Sequence, residues 1–189
     1  MSADRTLLVD ASVLITLSDV DAADALLETP GTVVVPEPVA NEITDDPAAT
    51  VLSGARDEHL ETWDVGLAPV ETAASHLGRD LSDEAREGDG HAKIEGDIGL
   101  LALALLRDHP ERDLDSPVVV TDDKPLRETC QALSIPVSGS LGVLVRAVER
   151  GDIEPAEAKE KLYAMDRAGA HLSASLVKRA EQLLDDAAD

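Results

Sequence analysis

The sequence predicts a three-layer α/β/α sandwich around a central, mainly parallel sheet, followed by a helical C-terminal extension. Two observations carry this. Short runs rich in β-branched residues recur at Thr6-Leu7-Leu8-Val9, Thr32-Val33-Val34-Val35 and Val118-Val119-Val120, the signature of buried strands. Segments with helical character alternate with them, the pattern of parallel βαβ units.

Residues 6–9 read as the first strand and residues 11–17 as its helix. The second strand, residues 32–35, is closed by Pro36 and leads into a short helix through residues 39–43. Residues 44–59 are polar and poorly periodic and give no element. Residues 60–65 alternate as Leu-Glu-Thr-Trp-Asp-Val, a weak third strand. Residues 80–95 are dense in acids and glycines and read as a loop or a frayed helix. Residues 97–106 are apolar nearly all round, as a fully buried helix must be. Residues 117–121 form the fourth strand, residues 125–133 its helix, and Pro136-Val137 a short edge strand. Beyond Gly139-Ser140-Leu141-Gly142 the chain turns helical over residues 143–149, 155–168 and 173–187, with Gly151 and Gly169 as stops and Pro155 near a start. The expected organisation is one α/β domain over residues 1–150 and a helical extension over residues 151–189 that packs on it.

Composition narrows the function classes. At 189 residues the chain is long enough for one proper core, yet it holds no Phe, one Trp and one Tyr, so Val, Leu, Ile and Ala must fill that core. The single cysteine, Cys130, excludes an intrachain disulfide and a thiolate metal cluster. The start of the chain lacks the features of a signal peptide, and no apolar run reaches membrane-spanning length, so a cytoplasmic protein with no membrane partner is expected. The net charge is −23, the kind of acidic, hydrated surface that halophilic proteins carry. Residues 1–120 hold 26 acids against 7 bases, whereas residues 121–189 hold 13 against 9, so a polyanion should approach the C-terminal third.

Two of the apolar runs end on acids: Val9 is followed by Asp10, and Val120-Thr121 by Asp122-Asp123. In an open parallel sheet ligands bind at the carboxyl ends of the strands, and right-handed crossovers point all the strands one way. Asp10, Asp122 and Asp123 therefore fall on one edge of the sheet. Glu42 follows the second strand and Asp97 opens the buried helix. Taken singly, Asp10, Asp97 and Asp123 are each most economically read as helix N-caps, and Glu42 as a solvated surface acid. Taken together, four or five converging carboxylates call for a hard divalent cation as counter-charge. The five histidines show no ligand spacing, which speaks against zinc. The glycine pair Gly139 and Gly142 is better explained by a turn than by a phosphate cradle, and Leu162, Met165, Leu172, Leu176, Leu183 and Leu184 by the packing face of the tail.

Three stretches resemble, in order and spacing, the acidic motifs of PIN-domain nucleases: Leu8-Val9-Asp10-Ala11-Ser12, Val35-Pro36-Glu37-Pro38-Val39-Ala40-Asn41-Glu42 and Val119-Val120-Thr121-Asp122-Asp123-Lys124. Gly139-Ser140-Leu141-Gly142 and the helical tail are similar to a PIN subfamily found beside toxin-like VapC proteins. The resemblance implies a metal-dependent endoribonuclease acting on single-stranded RNA, with a role as a toxin of a toxin-antitoxin pair or as a processing factor in a halophilic prokaryote. Carried over residue by residue, it makes Asp10, Glu42, Asp97 and Asp123 catalytic and places them around Mg²⁺ or Mn²⁺ with Asp122. Ser12, Lys124 and Arg127 become substrate contacts. RNA, a small antitoxin-like protein and a second copy of the chain in a homodimer are the implied partners. The departure lies at Gly96-Asp97-Ile98-Gly99, where related proteins read Gly-Glu followed by a further acid at the place of Gly99. Two rivals stand beside this reading: a PIN-fold module that binds RNA or protein without cleaving, which the glycine at position 99 favours, and a phosphatase or receiver-type domain, against which the late position of the acid pair speaks.

Overall fold

The computed structural model describes residues 5–55, 59–66, 69–81, 94–108, 114, 116–170 and 172–188. Five parallel strands form one sheet in the order β3-β2-β1-β4-β5: β1 Thr6–Val9, β2 Thr32–Pro36, β3 Glu61–Trp63, β4 Val118–Val120 and β5 Val137–Ser138. Three-layer α/β architecture is the result. Strand β1 is covered on both faces along its whole length, which the continuous run Leu7-Leu8-Val9 anticipates.

Helices α1 Ala11–Asp19, α2 Ala23–Leu27, α8 Ser140–Arg150 and α9 Pro155–Met165 pack together on one side of the sheet. On the other side lie α3 Glu37–Ala40, α5 Val70–His76, α6 Gly96–Ala104 and α7 Lys124–Ala132, with α6 resting on β1, β2 and β4. Burial at every position of α6 from Ile98 to Ala104 bears out the reading of residues 97–106 as an enclosed helix, though its last turn tightens into a 3₁₀ segment, Leu105–Asp108. The core is aliphatic, with Leu8, Leu14, Leu17, Leu26, Leu100, Leu101 and Leu103 fully enclosed. Ala158, Leu162 and Met165 of α9, and Ala180 and Leu184 of α10 (Ala174–Asp186), join that same cluster.

Three helices escape the hydropathy pattern. Residues 44–59, expected to hold no element, contain α4 Ala48–Ala55, and the short α2 and α5 are likewise absent from the sequence reading. The reason is alanine. Their buried faces are made largely of Ala48 and Ala55, Ala23 and Ala25, and Ala73 and Ala74, which carry little hydropathic contrast although alanine has the highest helix propensity. Most of the stretch read as loop or frayed helix lies outside the described residues. No helix among the described residues is long and apolar enough to cross a membrane.

The acidity bears on stability through screening. At −23 the folded chain carries strong self-repulsion in dilute buffer, while at about 1 M salt the Debye length shrinks to about 3 Å. The melting temperature is therefore expected to rise from dilute buffer to molar KCl in a calorimetric salt series, and a flat series would refute a halophilic design.

Candidate active site at the carboxyl ends of the strands

Strand β1 is central, with β2 and β3 on one flank and β4 and β5 on the other, so the chain reverses direction across the sheet between β1 and β4. The pairing of Val9 with Val120 continues one step further, where the Asp10 amide donates to the Val120 carbonyl at 2.9 Å. Asp10 and Thr121 are thus delivered to the switch point, where such sheets bind ligands.

Asp10 is 8% exposed, and its Oδ2 accepts two hydroxyl hydrogen bonds, from Ser12 at 2.7 Å and from Thr121 at 2.6 Å. Thr121, itself fully buried, also accepts from the Asp123 amide at 3.0 Å through the same oxygen. The cap explanation does not cover Asp10: it occupies the N-cap position of α1, yet its side chain makes no capping bond. Its carboxylate is held by Ser12 in the first turn of α1 and by Thr121 at the end of β4, and Oδ1 receives no hydrogen bond from a described residue.

The remaining acids are each committed elsewhere. Asp123 is an N-cap in fact, accepting from the Leu126 amide at 2.8 Å at the start of α7. Asp122 reaches across to α8, where its Oδ1 accepts from the Ser140 amide at 3.0 Å and its Oδ2 from the Ser140 hydroxyl. It therefore fastens the first turn of α8 to the end of β4. Glu42 does the same for α6, its Oε1 accepting from the Gly96 amide at 2.8 Å. Asp97 is gripped by Arg79, with Nη1–Oδ1 and Nη2–Oδ2 contacts both at 2.7 Å, and the Arg79 guanidinium also pairs with Glu95. Three acids thus sit where helix N-termini offer unpaired amides and a favourable dipole.

Of the expected substrate contacts, Ser12 lies between Asp10 and the backbone of Asp122, whose amide donates to its hydroxyl at 3.3 Å. Lys124 is exposed beside Asp123 and pairs loosely with Glu128 at 3.6 Å. Arg127 turns inward: its Nη1 donates to the carbonyls of Thr121 at 2.8 Å and Ser138 at 2.6 Å, tying the ends of β4 and β5 together. Cys130 is buried, and that burial pushes its thiol up to about 11, so it is no nucleophile at neutral pH.

Thr121 and Ser140 were not singled out as site residues by sequence reasoning, although they position Asp10 and Asp122. Thr121 stands in the motif itself, one residue before the acid pair. Ser140 stands in the Gly139-Ser140-Leu141-Gly142 stretch, but its pairing with Asp122, 18 positions away, follows only from the fold.

A hard divalent cation is the group such a site would take. In donor chemistry the set fits, being carboxylate oxygen with no thiol or imidazole among the site residues. In arrangement, the described residues contain no group of three His, Cys, Asp or Glu placed to hold one metal ion. The site is thus two separate halves: Asp10 with its hydroxyls at the switch point, and Glu42 with Asp97 at the first turn of α6.

Next to Asp122, a groove of about 660 Å³ runs from Arg127 and Ser140 to the apolar face of the tail, where Leu162, Met165, Leu176 and Leu183 line it. The leucines expected to form a packing face divide: Leu162, Met165 and Leu184 are buried, whereas Leu176 and Leu183 are exposed.

Residues 94–186 match the family model DUF3368, described as a PIN domain. Over that stretch, just under half of the chain, the sequence is similar to a PIN domain. The match begins just before α6 and runs through α10, so this PIN model takes in Asp97, Asp122, Asp123 and both tail helices. No curated protein and no solved structure matches the chain. The parallel five-stranded sheet with helices on both sides is that of a PIN-like α/β sandwich.

Proposed function

We propose that the chain is a nuclease that hydrolyses phosphodiester bonds of single-stranded RNA with the aid of Mg²⁺ or Mn²⁺. The observation that carries this reading is Asp10: a carboxylate at the switch point of the sheet, oriented by the hydroxyls of Ser12 and Thr121 rather than spent on a helix N-terminus. The resemblance would give the cation Asp10 together with Glu42, Asp97 and Asp123, but the described residues do not bring three such acids together around one ion. When bound it supplies a water of lowered pKa and charge stabilisation for the phosphate oxygens.

The chain's own residues do the rest. Thr121 and Ser12 fix the direction of the Asp10 carboxylate, and its other oxygen, which takes no hydrogen bond from a described residue, can accept a proton or a ligand bond. Asp123 and Asp122 hold the first turns of α7 and α8 at the same edge of the sheet. Lys124, exposed at the first turn of α7, offers a positive charge to an RNA phosphate. Arg127 contributes by keeping β4 and β5 aligned.

Incubation of the purified chain with unstructured RNA is expected to give Mn²⁺- or Mg²⁺-dependent fragments with 5′ phosphates, and none in excess chelator. Cleavage undiminished by chelator would refute the mechanism. A second reading, a PIN-fold module that binds RNA without cutting it, draws on the clasp of Asp97 by Arg79 and the glycine at position 99. Gel-shift binding without cleavage at any metal concentration would establish that reading in place of the first.

A further inference from the structure

We propose that the peptide unit joining Thr121 to Asp122 is a positioning hub for Asp10, and that Gly139 and Ser140, which open α8, are positioning residues for RNA cleavage. The inference rests on the reading of Asp10 as the acid of a nuclease. The carbonyl of this unit, on Thr121, accepts from Arg127 Nη1 at 2.8 Å, and its amide, on Asp122, donates to the Ser12 hydroxyl at 3.3 Å. On one side the Thr121 hydroxyl donates to Asp10 Oδ2 at 2.6 Å. On the other, both Asp122 oxygens are spent on Ser140, Oδ1 on its amide at 3.0 Å and Oδ2 on its hydroxyl.

The opening of α8 is shaped around this unit. Gly139 holds the N-cap position of α8 but has no side chain to cap with, and Asp122 supplies the capping oxygen from the end of β4 instead. A β-carbon on Gly139 would fall onto Asp122 Oδ1, 2.9 Å from Arg127 Nη1 and 3.2 Å from the Thr121 carbonyl oxygen. Residue 139 is therefore glycine for space, since its φ of −154° is open to any residue. A β-carbon on Gly142 would meet the side chain of Ser138 alone, whose hydroxyl can turn away. The glycine pair thus divides: Gly139 makes room for the Asp122 carboxylate, while Gly142 borders a side chain outside the hub.

The hydroxyls of Thr121 and Ser12 both aim Asp10, and they are not anchored alike. Thr121 is fixed by the sheet, its amide donating to the Ser138 carbonyl at 3.1 Å. Ser12 sits between Asp10 Oδ2, to which it donates at 2.7 Å, and the Asp122 amide. Displacing Asp122 from Ser140 therefore disturbs Asp10 through Ser12. A misaimed carboxylate costs turnover rather than substrate binding.

The test is steady-state cleavage of a short unstructured RNA in Mn²⁺, with melts showing that each variant is folded. Ser140→Ala keeps the amide bond to Asp122 and removes the hydroxyl one. It is expected to lower kcat about tenfold with KM within about twofold of the parent. Gly139→Ala, which displaces the carboxylate without removing a polar group, is expected to lower kcat at least as far, whereas Gly142→Ala stays within about twofold of the parent. In a Ser12→Ala background the further loss from Ser140→Ala should shrink to about twofold, because the two residues act along one path. A loss of the same size in both backgrounds would make Ser140 a purely structural contact and overturn the inference. Parent-like kcat in Ser140→Ala, or an equal loss in Gly142→Ala, would overturn it as well, and each of these results leaves the nuclease reading intact. Should Gly139→Ala fail to fold, Ser140→Ala in the two backgrounds decides. A parent chain that does not cleave RNA in Mn²⁺ or Mg²⁺ overturns the inference and the nuclease reading together.

Discussion

Asp10→Asn is expected to lower RNA cleavage on the order of a thousandfold while the melting temperature stays within a few degrees of the parent. The amide oxygen can still accept from Ser12 and Thr121, so the local hydrogen bonds survive at reduced strength. Removing an enclosed negative charge that has no ion-pair partner among the described residues compensates for part of that loss. What does not survive is the ionised carboxylate on which cation binding and proton acceptance depend, and several kcal/mol of transition-state stabilisation go with it. Asp10→Ala separates position from charge. It leaves the fully buried Thr121 hydroxyl without its acceptor and should cost about 2–4 kcal/mol of stability in addition to the cleavage. On a chain of this size that is roughly 5–15 °C in melting temperature. Full cleavage by Asp10→Asn would remove Asp10 from the chemistry, and with it the central support for a nuclease.

The second large effect is expected at Gly99, the position where the chain departs from the acidic pattern it otherwise resembles. Gly99 lies on the buried side of α6, where a β-carbon would sit 3.2 Å from Pro38 Cγ and 3.4 Å from Val65 Cγ2. An aspartate there has to push α3 and the segment after β3 away and bury its charge against proline and valine. Gly99→Asp is accordingly expected to destabilise the fold by about 3–5 kcal/mol and to add no cleavage. Gly99→Ala, which meets only the tight contact, should cost about 1–2 kcal/mol, less the helix propensity it gains. Denaturant unfolding of both variants measures the difference. If Gly99→Asp folded as stably as the parent and bound Mn²⁺ more tightly, position 99 would be a vacated ligand place rather than a packing contact.

The identity and order of β1, β2 and β4 were legible in the sequence, because these strands are built on short unbroken runs of Val and Leu. Val118-Val119-Val120 and Leu7-Leu8-Val9 admit little else once helices flank them. The apolar α6 was equally plain. The placement of Asp10 at a sheet edge followed from strand direction alone, since parallel strands share one carboxyl end. The alanine-faced helices α2, α4 and α5 were not legible, because alanine signals helix by propensity but hardly by hydropathy, and tertiary packing decides whether its face is buried.

For the site, the sequence by itself determined which residues carry carboxylates at strand ends and that no thiol or zinc chemistry competes with them. What each carboxylate does was decided only by the tertiary structure. A carboxylate satisfies whichever donor comes within about 3 Å, and those donors are distant in sequence: Gly96 lies 54 positions from Glu42, Thr121 lies 111 from Asp10, and Arg79 lies 18 from Asp97. The same chemical group thus becomes an oriented site acid at Asp10, a helix fastener at Glu42, Asp122 and Asp123, and half of an ion-pair clasp at Asp97. Sequence specifies the charge, but only folding brings up the amide, hydroxyl or guanidinium that settles its use.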